Sequence, residues 1–240
     1  MPARIVACVL PTHGAASPHI DLIMETIVSI MTGMANVAPS TPSLRRSRGR
    51  PREFDMNEAL DKAVRVFSER GYHATSIADL TQAMELASGS VYKAFKDKRA
   101  VFLAALDRYK SVRDGKLQQV LATSKSGREK IRDALTFYAE SSQGAEGRRG
   151  CLVVGGAAEL ATFDEGVAER VRAAMGRSEA LLAGLVRQGQ ADGSIPSHVD
   201  CEAAARLLLC IVQGLRIVGK TGRGPDELAS VVEIAMKILA

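Results

Sequence analysis

Ser88, Gly89, Ser90, Tyr92 and Lys93 fall within about two helical turns, and each is small, hydroxylic or cationic. On one helix such residues let the backbone come close to a surface while hydroxyls, a phenol and an ammonium reach it. Those groups suit base edges and phosphate oxygens. Thr75 and Lys98 stand at the starts of the flanking helical segments, where backbone N–H groups and side chains can hold phosphates. Just upstream, Arg45-Arg46-Ser47-Arg48-Gly49-Arg50-Pro51-Arg52 forms a basic arm. Arg48, Arg50 and Arg52 suit a general phosphate-binding tail. Arg48-Gly49-Arg50-Pro51 is also similar to the core of an AT-hook, whose arginines lie in a narrow A·T minor groove. The sequence leaves both readings of the arm open.

One thiol has chemistry of its own. Cys151 follows Arg148 and Arg149 near an expected helix N-terminus, a setting that favours thiolate chemistry. It is a candidate redox or electrophile sensor, with a buried structural thiol as the alternative. The other cysteines (Cys8, Cys201, Cys210) and the 4 His show no metal-finger or disulfide-scaffold spacing. No metal and no cofactor are therefore expected, and reduced thiols in a cytoplasm are the default. Residues 111–240 contain no G-x-S-x-G, no H-E-x-x-H and no phosphate-binding glycine loop. An enzyme would have to work through Cys151 or His198, and neither has a visible base–nucleophile partner.

The elements that must position these residues are helical. Apolar residues make up 46% of the chain and aromatics only 4%, so Ala, Leu and Val must build most of the core. Asp55 caps a first helix in which Leu60, Ala63, Val64 and Phe67 recur at helical spacing, and Gly71 ends it. Ser76 caps a second helix, 77–84. A short break leads to a third at 88–93, and Asp97 caps a long fourth towards Leu121. Further helices are predicted near 127–143, 150–162, 164–191, 200–221 and 225–239. The breaks between them carry Gly144, Gly147 and Gly150, then Asp192-Gly193-Ser194, then Gly222-Arg223-Gly224-Pro225. The expectation is an all-α protein of about nine helices, mostly antiparallel. Its divisions would be an extension at 1–44, the arm at 45–54, a helix-turn-helix domain at 55–102 and a second helical domain at 103–240.

Charge follows the same division. Residues 45–110 hold 14 Lys and Arg against 9 Asp and Glu, so the whole net charge of +5 falls there. A positive field confined to one end is what a polyanion partner requires. The apolar run Ile20 to Met34 carries Asp21 and Glu25 and is too short to span a bilayer. Residues 1–17 make a poor signal peptide. No membrane partner is expected.

Residues 54–109 resemble the N-terminal domain of the TetR/AcrR family of repressors. The resemblance rests on Ala74-Thr75-Ser76-Ile77-Ala78-Asp79-Leu80, Ser90-Val91-Tyr92, Phe95, and Lys98 followed by Val101-Phe102, in register without a gap. It implies a helix-turn-helix whose second helix, here 88–93, enters the major groove. Tyr92 would contact the DNA backbone or a base edge, Lys98 a phosphate, and Phe95 and Ile77 the core. Glu85 stands where the family often has a turn glycine, and Ala87 where a capping Ser or Thr is common. For the C-terminal half the resemblance implies a small-molecule effector pocket, with Phe137, Tyr138, Leu160, Phe163, Met175 and Leu182 as candidate lining. It also implies a homodimer formed by the last two long helices. Leu207, Leu208, Ile211, Val212 and Leu215 make one apolar face there, and Val231 and Ile238 belong to another. A dimer seam and a protomer core predict the same stripe.

Leu22 to Met31 can be written in permitted codons as CATTATGGAGACGATCGTCTCCATAATG, a perfect inverted repeat centred in the Ile27 codon. Dimeric regulators bind such palindromes. On this reading residues 1–30 translate an upstream region holding the operator, and translation starts at Met31 or Met34. An AGC or AGT codon at Ser29 breaks the palindrome, and the segment is then an amphipathic, disordered tail. The sequence thus points to a ligand-responsive, dimeric regulator that binds a palindromic operator in double-stranded DNA. An architectural, non-specific DNA-binding protein is the alternative, and a helical enzyme a more distant one.

Overall fold

The computed structural model describes residues 55–122 and 126–240. The basic arm with Arg48, Arg50 and Arg52, the extension and the segment 22–31 lie outside the described residues. Among those described there are ten α-helices, two 3₁₀ turns and no strand. The helices are α1 (Met56–Arg70), α2 (Ile77–Met84), α3 (Ser88–Ala94), α4 (Lys98–Leu121), α5 (Gly127–Glu140), α6 (Gly144–Arg149), α7 (Leu152–Glu159), α8 (Glu165–Ala191), α9 (Cys201–Val218) and α10 (Pro225–Ala235). The 3₁₀ turns Gly219–Thr221 and Met236–Leu239 follow α9 and α10.

Local chemistry sets the starts of these helices. Asp55 accepts from the N–H groups of Asn57 and Glu58, and Asp97 from that of Ala100. Ser76 and Asp79 form a reciprocal capping box, as do Ser126 and Glu129. One helix was not legible: α6 lies where three glycines suggested a plain break. Gly144 and Gly150 have positive φ (55° and 88°) and bracket a single helical stretch between them.

Two apolar clusters hold the fold. In one, Phe67, Leu80, Met84 and Val91 from α1–α3 meet Val101, Phe102 and Leu106 of α4, and Leu152, Leu160 and Val171 of the following helices. In the other, Leu117 and Leu121 of α4 join Ile131, Leu135, Val186, Ile195, Leu208 and Leu228. The 24-residue α4 enters both, so the boundary expected after residue 102 falls inside one continuous helix. Backbones come very close where α5 starts against α8. A Cβ on Gly127 would sit 2.1 Å from the Gly189 nitrogen, which admits only glycine there.

Candidate nucleic-acid interface and effector cavities

Val91 fixes α3. Its side chain is 1% exposed, in the cluster with Leu80 and Met84, and this turns the rest of the short helix outward. Ser88, Gly89 and Lys93 are exposed, Ser90 is half-buried and the Tyr92 ring is 56% exposed. A Cβ on Gly89 would meet nothing within 4 Å, so no packing contact demands glycine there; it keeps the outer face low. Ala87, at the N-cap, offers no side-chain acceptor to the first N–H groups of α3. The turn before it runs through Glu85 at φ 57°, ψ 35°, the left-handed conformation that glycine adopts freely. Glu85 also lies 3.2 Å from Lys62, which pairs with Glu58 at 3.1 Å.

Two residues expected at phosphates are engaged within the chain. Thr75 is 1% exposed, and its hydroxyl donates to the Gly71 carbonyl at 2.7 Å. It closes the loop between α1 and α2 and does not face outward. Lys98 Nζ donates to the carbonyls of Tyr72 (3.0 Å) and Thr75 (2.9 Å) and lies 4.3 Å from the Tyr72 ring centre. Two of its three N–H donors are thereby spent on that same loop. Sequence spacing puts both residues at helix starts, but the direction a side chain takes there depends on the neighbouring loop.

Polar latches join α1–α4 to the later helices. The Tyr72 N–H donates to Glu159 Oε2 at 2.9 Å. Gly71 (φ 79°) makes this approach possible, because a Cβ there would sit 2.6 Å from the Glu159 carboxylate. Arg99 grips Asp164 through Nε and through Nη2, the latter at 2.7 Å. These bonds hold the Asp164 carboxyl below the usual carboxylate range. Asp164 also caps α8, accepting from the Val167 N–H at 3.1 Å. Arg170–Asp107 (3.1 Å) and Arg149–Glu69 (3.6 Å) are further latches of this kind.

Two adjoining cavities share a wall made by Tyr109, Arg113 and Arg216. The smaller, about 30 Å³, is bounded by Tyr138, Cys151, Met175 and Ser178, with room for little more than ordered water. The larger, about 320 Å³, lies between α1, α4, α9 and the α6–α7 junction. Burial pushes the Tyr109 phenol well above its ordinary pKa.

Of the residues expected to line an effector pocket, Tyr138 and Met175 reach the smaller cavity. Phe137 stacks beside Arg113, 4.8 Å from ring centre to guanidinium carbon. Leu160 and Leu182 are buried in the two apolar clusters. Phe163 is 87% exposed in the turn before α8, so it lines neither cavity. Cys151 is half-buried at the α7 N-cap, at the wall of the smaller cavity, and makes no capping hydrogen bond. Sequence reasoning missed Arg113 and Arg216. The signal for Arg216 was a cation inside the apolar run Ile211–Val218.

The apolar faces of the last two helices divide. Leu208, Val212 and Leu215 point into the protomer's own core, each 3% exposed or less, and so cannot form an outer seam. Leu207 (46%) and Val231 (38%) are exposed, whereas Ile211 and Ile238 are half-buried. Val218 (41%), at the end of the same apolar face of α9, is exposed too, and Ile217 (54%) and Ile234 (61%) extend the exposed apolar surface beyond what the sequence suggested. Among the described residues no cluster of His, Cys, Asp and Glu is poised to hold a metal, and no helix is long and apolar enough to cross a membrane.

An exposed second helix on a buried anchor, braced by α1 and α4, defines a helix-turn-helix protein. Residues 59–105 match the profile of the bacterial regulatory proteins of the tetR family, and 127–234 that of the tetracyclin repressor-like C-terminal domain. The chain is 31% identical over 200 residues to the HTH-type transcriptional repressor ComR of Escherichia coli (strain K12). That match covers 83% of this chain and 95% of ComR. It is also similar to a cysteine mutant of the TetR family transcriptional regulator CifR, solved in complex with 26-bp double-strand operator DNA. There the identity is 34% and the TM-score 0.70, with 80% of this chain and 100% of that one covered. A shorter match, 29% identical, covers 42% of this chain and 48% of the HTH-type transcriptional activator FasR of Mycolicibacterium smegmatis. The chain belongs to the TetR family of DNA-binding transcriptional regulators.

Proposed function

We propose that the protein is a cytoplasmic repressor that binds a palindromic operator as a homodimer and is released by a small-molecule effector. The observation that carries this reading is the outer face of α3, where Ser88, Gly89, Tyr92 and Lys93 project while Val91 alone is fully buried. The exposed apolar surface of Leu207, Ile217 and Val218 on α9, with Val231 and Ile234 on α10, supports pairing with a second copy. A two-fold dimer places its two recognition helices about 34–36 Å apart, in successive major grooves. Effector binding against α4 and α9 releases DNA if the effector prefers a protomer arrangement with a different spacing. Similarity to an operator-bound regulator and to a repressor of nearly the same length supports the same reading. Cys151, at the cavity wall, is the residue through which an oxidant or electrophile would act.

The inverted repeat readable from residues 22–31 supplies the candidate operator and makes the regulator autoregulatory. The test is a salt-series gel shift of purified protein with that duplex against a scrambled one. The palindrome should win by at least about a thousandfold. Equal, weak binding to both duplexes, with a steep salt dependence, would favour an architectural protein that reads only phosphates.

A further inference from the structure

The sequence of α7 does little to hold it helical. It is 8 residues long, and isolated helices that short do not persist in water. The longer helices α4, α8 and α9 each start on an aspartate whose side chain accepts from an N–H group of the first turn. α7 starts on Cys151, with no side-chain cap. Its last residue is Glu159, a carboxylate at the negative end of the helix dipole, and no basic residue in the final turn offsets it. Gly155 and Gly156 occupy its middle, and glycine is among the poorest residues for a helix interior.

Packing requires neither glycine. A Cβ on Gly155 would meet nothing within 4 Å. On Gly156 it would lie 3.5 Å from Val167, 3.6 Å from Phe102 and 3.7 Å from Val171, which is ordinary van der Waals contact. Gly127, with backbone 2.1 Å from its Cβ position, shows what a required glycine looks like in this fold. Alanine at 155 or 156 fits the folded backbone and restricts the open chain, so the glycines keep the helical state close in free energy to an unwound one. What holds α7 is tertiary: Leu152 and Val153, 2% and 7% exposed, anchor its first turn. Both ends are attached. Cys151 and Val153 stand in the wall of the smaller cavity, and Glu159 accepts from the Tyr72 N–H at 2.9 Å. The loop that begins there is closed by Lys98 and Thr75 and ends at Ser76, the cap of α2. α2 in turn supplies Leu80 and Met84 to the cluster that fixes Val91 of α3.

We propose that α7 is a conditional helix, which unwinds from its cavity end, withdraws Glu159 from the Tyr72 N–H and so loosens the loop that places α2 and α3. The smaller cavity, about 30 Å³, holds little more than ordered water. A larger body entering it displaces Cys151 and Val153, the uncapped turn where unwinding meets least resistance. The unwinding and its link to the loop stand on the packing alone. Only the further step, from a loosened loop to operator release, rests on the repressor reading above.

The test is hydrogen exchange on the full chain without DNA, read by mass spectrometry with fragmentation to single residues. In the parent, the α7 amides and the Tyr72 amide should exchange at least about tenfold faster than those in the middle of α9. Gly155→Ala and Gly156→Ala should each slow both by the same factor, about two- to fivefold, because both open in one event. Glu159→Ala removes the latch and should speed the Tyr72 amide. In that background Gly155→Ala should still slow α7 but leave Tyr72 unchanged, which assigns the link to Glu159. Parent α7 amides as slow as those of α9 overturn the proposal. So does a Gly155→Ala variant that slows α7 and leaves Tyr72 as it was, or a Tyr72 response that survives Glu159→Ala. A parallel gel shift separates the two readings. Glu159→Ala should weaken operator binding several-fold. Unchanged affinity refutes the step to DNA and keeps the conditional helix, whereas a parent that binds no operator touches only the repressor reading.

Discussion

Replacing Glu85 tests the turn that aims the recognition helix. Glu85 is the only residue other than glycine with positive φ among those described, at φ 57°, ψ 35°. A side chain with a Cβ costs about 1–2 kcal/mol in that region. Glu85→Gly removes this cost but loosens the unfolded chain, which returns about 0.5–1 kcal/mol of the gain. Glu85→Ala keeps the strain. Both variants lose the 3.2 Å pair with Lys62, so that term cancels between them; with the Glu85 side chain 76% exposed, it is worth under about 1 kcal/mol in any case. The glycine variant should therefore be more stable than the alanine variant by about 0.5–1 kcal/mol, the reverse of the order inside a helix. In thermal melts at one fixed protein concentration the gap is about 1–4 °C. Operator affinity should stay within a few-fold in both, since Glu85 precedes the contacting face. If the alanine variant melts at or above the glycine variant, the turn is not left-handed and the placement of α3 derived from it is wrong.

Four further outcomes are expected. Tyr92→Ala should weaken operator binding about tenfold and leave the melting temperature unchanged, because the ring is 56% exposed; gel shift and calorimetry on one preparation check both. Lys98→Met should lower stability by about 1–3 kcal/mol in urea titrations, through loss of its bonds to the Tyr72 and Thr75 carbonyls; full stability with lost DNA binding would assign it to phosphate instead. Arg99 holds the Asp164 carboxyl below its ordinary pKa, so this contribution is complete above the unfolded carboxyl's pKa and is lost as pH falls through the lower folded value; urea midpoints between neutral pH and acid should fall more steeply in the parent than in Asp164→Asn. Ile234→Glu places a charge on a 61%-exposed apolar position and should shift the protein towards monomer in sedimentation, with far-ultraviolet helicity retained.

Local signals were enough for much of the fold. Asp55, Ser76 and Asp97 each cap the helix they were expected to cap, because a short side chain and the N–H groups it serves are neighbours in sequence. The long helices were legible from apolar periodicity, and their ends differ by a few residues at most, where the final turn tightens to 3₁₀ after α9 and α10. The polar composition of 88–93 and its resemblance to a known motif marked out the segment that forms α3, the proposed recognition helix. The short helix α6 was missed because glycines read as breakers, whereas here they bound a helical turn.

The sequence by itself determined the all-α class, the order of the helices other than α6, and the family. Each rests on contacts between residues close along the chain, or on a motif read in register. Only the tertiary structure decided the direction of each side chain. Leu208, Val212 and Leu215 belong to the protomer's core, and Leu207, Ile217 and Ile234 remain outside. Both sets fit one amphipathic pattern, and which stripe is covered depends on how α8 and α5 pack. Thr75 and Lys98 turn inward because carbonyls of the α1–α2 loop lie within their reach. Arg113 and Arg216 are 103 residues apart in sequence and meet at one cavity wall. No local pattern encodes that meeting, because it depends on long-range packing of α1, α4 and α9.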